Sequence, residues 1–207
     1  MTTPLARIAQ TRIIVELPDC EMAKAVAACE VLVQEGLDVW SVPARGGLDP
    51  VELREMFSTR ALIGVHGVRS PHDITWTIEK KADFVQTDVL LGRTSFDRID
   101  DAEITHVAPA FTPNEIAYAH GRGADAVAVL PANVLDNAYP KALKLLVPDC
   151  FLIARGDMGA YATGAWLTNG VDAVSVGAQL VGDGFAAGNL GDFRTRARNF
   201  AKVRPTL

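Results

Sequence analysis

The sequence has few cysteines, no long apolar run and no dense basic cluster. Its three cysteines, Cys20, Cys29 and Cys150, have scattered spacings that fit neither a disulfide framework nor a metal-binding pattern. No stretch approaches the ~20 apolar residues of a transmembrane helix, and residues 1–12 lack the apolar run of a signal peptide. The 20 basic residues form no five-residue cluster and the net charge is −5, so no nucleic-acid footprint is visible. We expect a cytoplasmic protein that binds a small molecule, with neither nucleic acid nor a membrane as its partner.

The composition is typical of one globular domain. Of the 207 residues, 49% are hydrophobic and 22% are charged. No shift in composition, Ser/Gly linker or low-complexity tract divides the chain. We therefore predict a single domain over residues 1–207.

Short β-branched runs alternate with longer helical patterns along the whole chain. The predicted strands cover residues 13–17, 39–42, 61–65, 83–87, 104–109, 126–130, 150–154 and 174–177. Three of the intervening helices begin with a capping residue followed by proline, at Asp49-Pro50, Ser70-Pro71 and Thr112-Pro113. Only a short helix is predicted between residues 88 and 101, where the sequence is polar and irregular.

Eight strands, each followed by a helix, predict a closed (β/α)8 TIM barrel. Dividing 207 residues by eight leaves roughly 26 residues per unit, enough for a strand, a helix and two short loops. The barrel core is expected over about residues 12–185, with a solvated C-terminal helix at about 189–203. An open doubly wound sheet is the alternative, because alternation alone does not show that the strands close into a circle.

In such a barrel, functional residues lie at the carboxyl ends of the strands. His66 is the candidate general base, and it could also act with Asp88 and Asp157 to polarise a substrate or to hold a divalent metal. Arg45 and Arg155 could each bind a carboxylate or a phosphate through paired N–H groups. The glycine-rich segment 177–184 follows the last strand, where barrels often bind phosphate. Because no metal-ligand spacing supports the metal, we predict no cofactor and keep a divalent metal as an open alternative.

Three passages, in order, resemble the 2-keto-3-deoxy-6-phosphogluconate (KDPG) and 4-hydroxy-2-oxoglutarate (KHG) aldolases. Residues 36–45 (GLDVWSVPAR) are similar to the family's Gly-Leu-x-x-x-Glu-Val-Thr-x-Arg, and residues 110–115 (AFTPNE) to its Val-x-Thr-Pro-x-Glu. Residues 129–132 (VLPA) and 141–144 (KALK) are similar to its Phe-Phe-Pro-Ala and Lys-Ala-Leu-Lys. The resemblance covers roughly residues 12–185 and implies a trimeric eight-stranded barrel with carbon–carbon lyase activity.

The resemblance also identifies departures at the catalytic positions. Ala128 occupies the place of the family's Schiff-base lysine, and Ser41 that of its acid/base glutamate; Gly67 replaces a threonine. Arg45 matches the arginine that holds the substrate carboxylate. The family's phosphate site corresponds to Arg155 and Gly156 after the seventh strand, and to Gly177, Ala178 and Gln179 after the eighth.

These departures lead to one main hypothesis and two alternatives. A Schiff base requires an amine nucleophile, which alanine does not provide. We expect an aldolase-like homotrimer that binds a small carboxylated or phosphorylated 2-oxo acid and has lost the Schiff-base mechanism. The alternatives are a metal- or histidine-assisted lyase or isomerase that uses His66, Asp88 and Asp157, and a ligand-binding protein without catalysis.

Overall fold

Eight parallel strands close into a barrel in the order in which they occur in the chain. The computed structural model describes residues 3–186 and 189–205. Each strand pairs with its sequence neighbours, and β1 pairs with β8 through Ile13 and Val174. The strands are β1 (Ile13–Glu16), β2 (Val39–Pro43), β3 (Leu62–Val68), β4 (Phe84–Thr87), β5 (Thr105–Ala110), β6 (Ala126–Val129), β7 (Leu152–Arg155) and β8 (Ala173–Val176). The predicted TIM barrel is confirmed, and the open doubly wound sheet is wrong because the sheet closes.

Helices follow the strands around the outside of the barrel. In the described residues they are α1 (Pro4–Thr11), α2 (Met22–Gln34), α3 (Pro50–Phe57), α4 (Pro71–Glu79), α5 (Arg93–Asp101), α6 (Pro113–Gly121), α7 (Tyr139–Leu146), α8 (Ala160–Thr168), α9 (Ala178–Val181) and α10 (Leu190–Lys202), with short 3-10 turns at Ser58–Arg60 and Ala132–Val134. None of the described helices is long and apolar enough to cross a membrane.

The three helix starts predicted from a cap followed by proline are confirmed. The Asp49 side chain accepts a hydrogen bond from the Val51 N–H, while Ser70 and Thr112 each form a complete capping box. Helix α1 was not predicted, although the Thr3 side chain caps it just before Pro4. A capping residue followed by proline therefore begins a fourth helix, at Thr3 and Pro4.

The C-terminal helix has a buried face as well as a solvated one. Helix α10 buries Phe193, Ala197 and Phe200, and Arg194 and Arg198 both form ion pairs with Glu35 next to α2. The prediction of a solvated helix at about 189–203 is correct for its position but incomplete for its packing. Residues 187–188 lie outside the described residues.

The lower half of the barrel interior is apolar. Its side chains are Ile14, Val39, Phe84, Val107, Ala126, Ala128, Ile153 and Ala173, and Ile8 of α1 packs into the same cluster. Gly64 provides the space for the largest of them, since a Cβ at this position would lie 2.5 Å from the Phe84 ring. Tight packing here leaves the carboxyl ends of the strands as the place for a site.

On five of the strands, the inward-facing residue two positions beyond this apolar cluster is polar. Because side chains alternate across a strand, this step of two keeps them inside the barrel. These residues are Glu16 on β1, Ser41 on β2, Gln86 on β4, Arg155 on β7 and Ser175 on β8. Together they form a polar layer near the carboxyl ends of the strands.

Candidate functional site

A charged cavity of about 370 Å³ opens at the carboxyl ends of the strands. It is lined by Glu16, Arg69, Asp88, Leu130, Arg155, Gly156, Asp157, Gly177 and Ala178. Six strands therefore contribute their ends or the residues that follow them: β1, β3, β4, β6, β7 and β8. We refer to this space as the charged cavity.

Four side chains form a continuous chain of ion pairs along its wall. The Arg155 Nε lies 2.6 Å from Glu16 Oε1, and its Nη1 lies 2.8 Å from Asp88 Oδ1. The other oxygen of Asp88 accepts a hydrogen bond from Arg69 Nε at 2.8 Å. Ser175 donates its hydroxyl to Glu16 Oε1, also at 2.8 Å. Only 6% of the Arg155 side chain is exposed, so this cation is held inside the barrel by two carboxylates.

The arginines keep the carboxylates ionised against the effect of burial. Burial opposes ionisation of Glu16, but the opposite charge and hydrogen bond of Arg155 lower its pKa below the ordinary value. Asp88 behaves in the same way, since burial is outweighed by Arg155 and Arg69 and the pKa is lowered. Burial disfavours the Arg155 cation, but Glu16 and Asp88 raise its pKa. Glu16, Asp88 and Arg155 are therefore charged near neutral pH.

Several N–H groups at the cavity have no acceptor among the described residues. Arg155 uses Nε and Nη1 for its neighbours and leaves Nη2 without a partner. Arg69 uses only Nε, and 72% of its side chain is exposed. Within the described part of the chain, the backbone N–H groups of Gly177 and Ala178 also donate to no other residue. These donors could bind an anion directly.

His66 belongs to a hydrogen-bonded group beside the cavity. Its Nδ1 lies 3.0 Å from the Ser41 hydroxyl, which accepts a hydrogen bond from Gln86 Nε2 at 3.2 Å. Burial lowers the pKa of His66, although Glu16 and Asp88 oppose this effect. The imidazole is therefore neutral at pH 7. Strand β3 extends to Val68, so His66 lies within the strand, contrary to its predicted place after the strand end.

The structure brings most of the predicted site residues together. Asp88, Arg155, Gly156, Asp157, Gly177 and Ala178 all line the charged cavity. Gln179 adjoins it, because its backbone N–H and side-chain amide donate to the Asp157 carboxylate at 3.2 and 3.3 Å. Gly156 has little room for a side chain, since a Cβ there would lie 2.9 Å from Asn133 Oδ1.

Arg45 is not among the residues that line the charged cavity. Its Nε lies 2.9 Å from Asp73 Oδ1 at the start of α4, without the alignment of a hydrogen bond, and half of its side chain is exposed.

His66, Asp88 and Asp157 do not assemble into a metal site: no group of three potential metal ligands occurs among the described residues. Asp88 is instead occupied by two arginines.

Three residues of the cavity wall, Glu16, Arg69 and Leu130, were not among the predicted catalytic and substrate-binding residues, although Arg69 follows the end of a predicted strand. Glu16 is the only charged residue in the four-residue strand β1, and it lies at the carboxyl end of that strand. That position was the available sequence signal. Arg69 follows β3, but an arginine in a loop has no sequence feature that separates a ligand-binding residue from a solvated one.

No lysine lies on any of the eight strands. The six lysines of the sequence lie on the outer helices or just after one of them. Lys80 pairs with Asp49, and Lys144 with Asp172, both outside the charged cavity. Ala128 on β6 is 1% exposed and packs in the apolar interior cluster.

Comparisons with known proteins identify the fold. No family model and no curated protein matches the sequence. Among solved structures, a native KDPGal structure has a TM-score of 0.82 at 20% identity, covering 92% of this chain and 93% of its own. A KDPG aldolase from Legionella pneumophila, with pyruvate captured as a covalent carbinolamine, has a TM-score of 0.80 at 20% identity and 99% coverage of both chains.

A third structure shares the same barrel. It is a cube-shaped protein cage designed by fusing symmetric oligomeric domains, with a TM-score of 0.80 at 20% identity, covering 93% of this chain and 71% of that one. At these identities the likeness establishes the eight-stranded barrel fold that this chain shares with those structures. It does not by itself assign an activity.

Proposed function

We propose that the charged cavity binds a small carboxylated or phosphorylated 2-oxo acid without forming a Schiff base. The observation that carries this proposal is the pair of arginines on Asp88, each with unused N–H groups at the cavity. Asp88 fixes the position of both guanidinium groups, which reduces the entropy lost when an anion binds. The backbone N–H groups of Gly177 and Ala178 add donors on the opposite wall.

The charge balance of the cavity limits the strength of this binding. Its wall carries three carboxylates, Glu16, Asp88 and Asp157, against two guanidinium groups. The net charge is therefore not positive, and directed N–H groups must hold the anion. We therefore expect the affinity to depend on the rest of the ligand as well as on its anionic group. Across ligands, Kd should range from millimolar to submicromolar.

The proposed loss of the Schiff-base route rests on the side chains inside the barrel. An imine requires an amine within bonding distance of the substrate carbonyl. The strands offer none, and Ala128, which the resemblance places at the lysine position, is enclosed by apolar side chains. Turnover of a 2-oxo acid would therefore need a different source of electrophilic assistance.

A histidine-assisted lyase or isomerase is the second candidate. It is favoured by the neutral state of His66, because only the neutral imidazole has a ring nitrogen free to accept a proton. Asp88 suits this role less well, because two arginines lower its pKa and so weaken it as a base. A divalent metal would have to displace those arginines. If neither route operates, the protein binds its ligand without turnover.

We also propose that the chain forms a homo-oligomer in the cytoplasm. The resemblance to the aldolases implies a trimer, and the cage built from symmetric oligomeric domains shows that a barrel of this shape can be part of an assembly. The three cysteines are free thiols, as expected in a reducing compartment. Light scattering with size-exclusion chromatography would give the mass of the assembly.

The binding proposal is tested by calorimetric titration with three 2-oxo acids: pyruvate, 2-oxoglutarate and 3-phosphohydroxypyruvate. At least one should bind, and Arg69→Gln should weaken that binding about tenfold, since a hydrogen bond to a charged group contributes about 1.5 kcal/mol. Arg93→Gln is the control, because Arg93 is also largely exposed, at 86% against 72% for Arg69, and is not among the residues that line the cavity. Binding that is unchanged in Arg69→Gln, or absent for all three anions, would refute the proposal.

A further inference from the structure

A second, mainly apolar cavity adjoins the charged one. Its volume is about 360 Å³, and its wall includes Val89, Leu90, Pro109, Phe111, Leu130 and Pro131. Asp88 and Leu130 line both cavities, so the two spaces meet at these residues. We call the second space the apolar groove.

The two carboxylates in the wall of the apolar groove are already engaged. Glu115 Oε2 accepts hydrogen bonds from the backbone N–H groups of Phe111 and Thr112, both at 2.8 Å. Asp88 is paired with Arg69 and Arg155. Both carboxylates are thus held by contacts at the edge of the groove, and the rest of its wall is suited to apolar atoms.

Three large apolar side chains of the groove are exposed to solvent. The exposed fractions are 42% for Val89, 39% for Leu90 and 36% for Phe111. Val89 and Leu90 directly follow Asp88, so three consecutive residues lead from the charged cavity into the groove. A contiguous exposed apolar patch beside a polar site is typical of a binding surface.

We propose that the ligand is a 2-oxo acid with an aryl or branched alkyl substituent, its anionic group in the charged cavity and its substituent in the apolar groove. This proposal rests on the proposed function, and it narrows the ligand class. The volume is sufficient, because a cavity of about 150 Å³ accommodates benzene. It also explains how a cavity without net positive charge can bind an anion usefully: burial of apolar surface adds to the directed hydrogen bonds.

Continuity between the two cavities favours a ligand over a second copy of the chain as the occupant. A single small molecule can occupy both cavities and contact Asp88 and Leu130, which line both of them. A flat partner surface would cover the groove without entering the charged cavity. Occupation by a second copy predicts a different result, namely an oligomer that dissociates when the groove is made polar.

The test compares phenylpyruvate, pyruvate and 2-oxoglutarate by calorimetric titration of the full chain. Phenylpyruvate should bind at least tenfold more tightly than pyruvate, because its ring is removed from water. 2-Oxoglutarate has a charged end in place of the ring and should show no such gain. Leu90→Gln should reduce the tenfold ratio to below threefold, while the control Leu145→Gln, at an exposed leucine on α7, should leave it unchanged.

The outcomes separate this proposal from the proposed function. If pyruvate binds and phenylpyruvate binds no more tightly, the apolar subsite is refuted and the anion site stands. If Leu90→Gln leaves the ratio at tenfold, or only lowers the oligomeric mass in light scattering, the groove is not the ring's binding site. If no 2-oxo acid binds, both proposals fail.

Discussion

Replacing Arg155 with methionine should destabilise the barrel in a pH-dependent way. Arg155 is 6% exposed and neutralises Glu16, whose side chain is 20% exposed. Without Arg155, Glu16 keeps only the Ser175 hydroxyl, while Asp88 still has Arg69. One buried charge is therefore left without a counter-ion, and we expect a loss of about 3 kcal/mol at pH 7, the lower end for a broken buried pair.

The pH dependence follows from the pKa of Glu16. In the native protein this pKa lies below 4.5, so the ion pair's contribution is present above pH 4.5 and is lost as the pH falls through the native pKa. In Arg155→Met, burial is opposed only by Ser175 and His66, and the pKa of Glu16 should lie above 4.5. The variant then loses stability as the pH rises from 4.5. The difference in stability between the two proteins should therefore be smaller at pH 4.5 than at pH 7.

Urea denaturation followed by tryptophan fluorescence measures these differences. Glu16→Gln combined with Arg155→Met should recover most of the loss, because it removes the isolated charge. Arg198→Met is the surface control: its partner is Glu35, half of its side chain is exposed, and we expect a loss below about 1 kcal/mol. A loss below 1 kcal/mol for Arg155→Met, or one that is equal at both pH values, would show that the ion-pair chain is not a buried charge network.

Two further predictions concern the interior packing and the thiols. Gly64→Ala should lower the free energy of unfolding, measured by urea denaturation, by about 1–3 kcal/mol, since the new methyl group would meet the Phe84 ring at 2.5 Å. Phe84→Leu should lower the free energy of unfolding by less in this variant than in the wild type. Additive losses would contradict the close contact. In the folded protein, burial raises the pKa of both Cys20 and Cys29, but only Cys20 is partly exposed. An aromatic disulfide reagent at pH 8 should therefore modify Cys20 first, about 100-fold faster than Cys29, and equal rates would be inconsistent with the buried position of Cys29.

The fold could be predicted from the sequence because its signals are local. Alternating apolar runs marked all eight strands, and a cap followed by proline marked the helix starts at Asp49, Ser70 and Thr112. Helix α1 has the same type of cap, Thr3 before Pro4, but it lies outside the predicted elements. The extension of β3 to Val68 depends on pairing with β4, a non-local contact that no run of residues reveals.

The candidate site could be predicted only in part, because partners are chosen by the closed barrel. The rule that strand ends carry function selects Asp88 and Arg155, and both line the charged cavity. It could not show that they pair with each other across 67 residues of sequence. Nor could it show that Glu16, at the end of β1, pairs with Arg155 once β1 closes against β8, or that Arg45 pairs with Asp73.

The most direct test of the central claim is intact-mass spectrometry after incubation with pyruvate and borohydride, alongside calorimetric titration under the same conditions. Borohydride reduces an imine to a stable amine and so traps any Schiff base. We predict that pyruvate or a related 2-oxo acid binds while the protein mass stays unchanged. A mass increase by one reduced pyruvyl group, located on a lysine, would contradict non-covalent binding at the charged cavity.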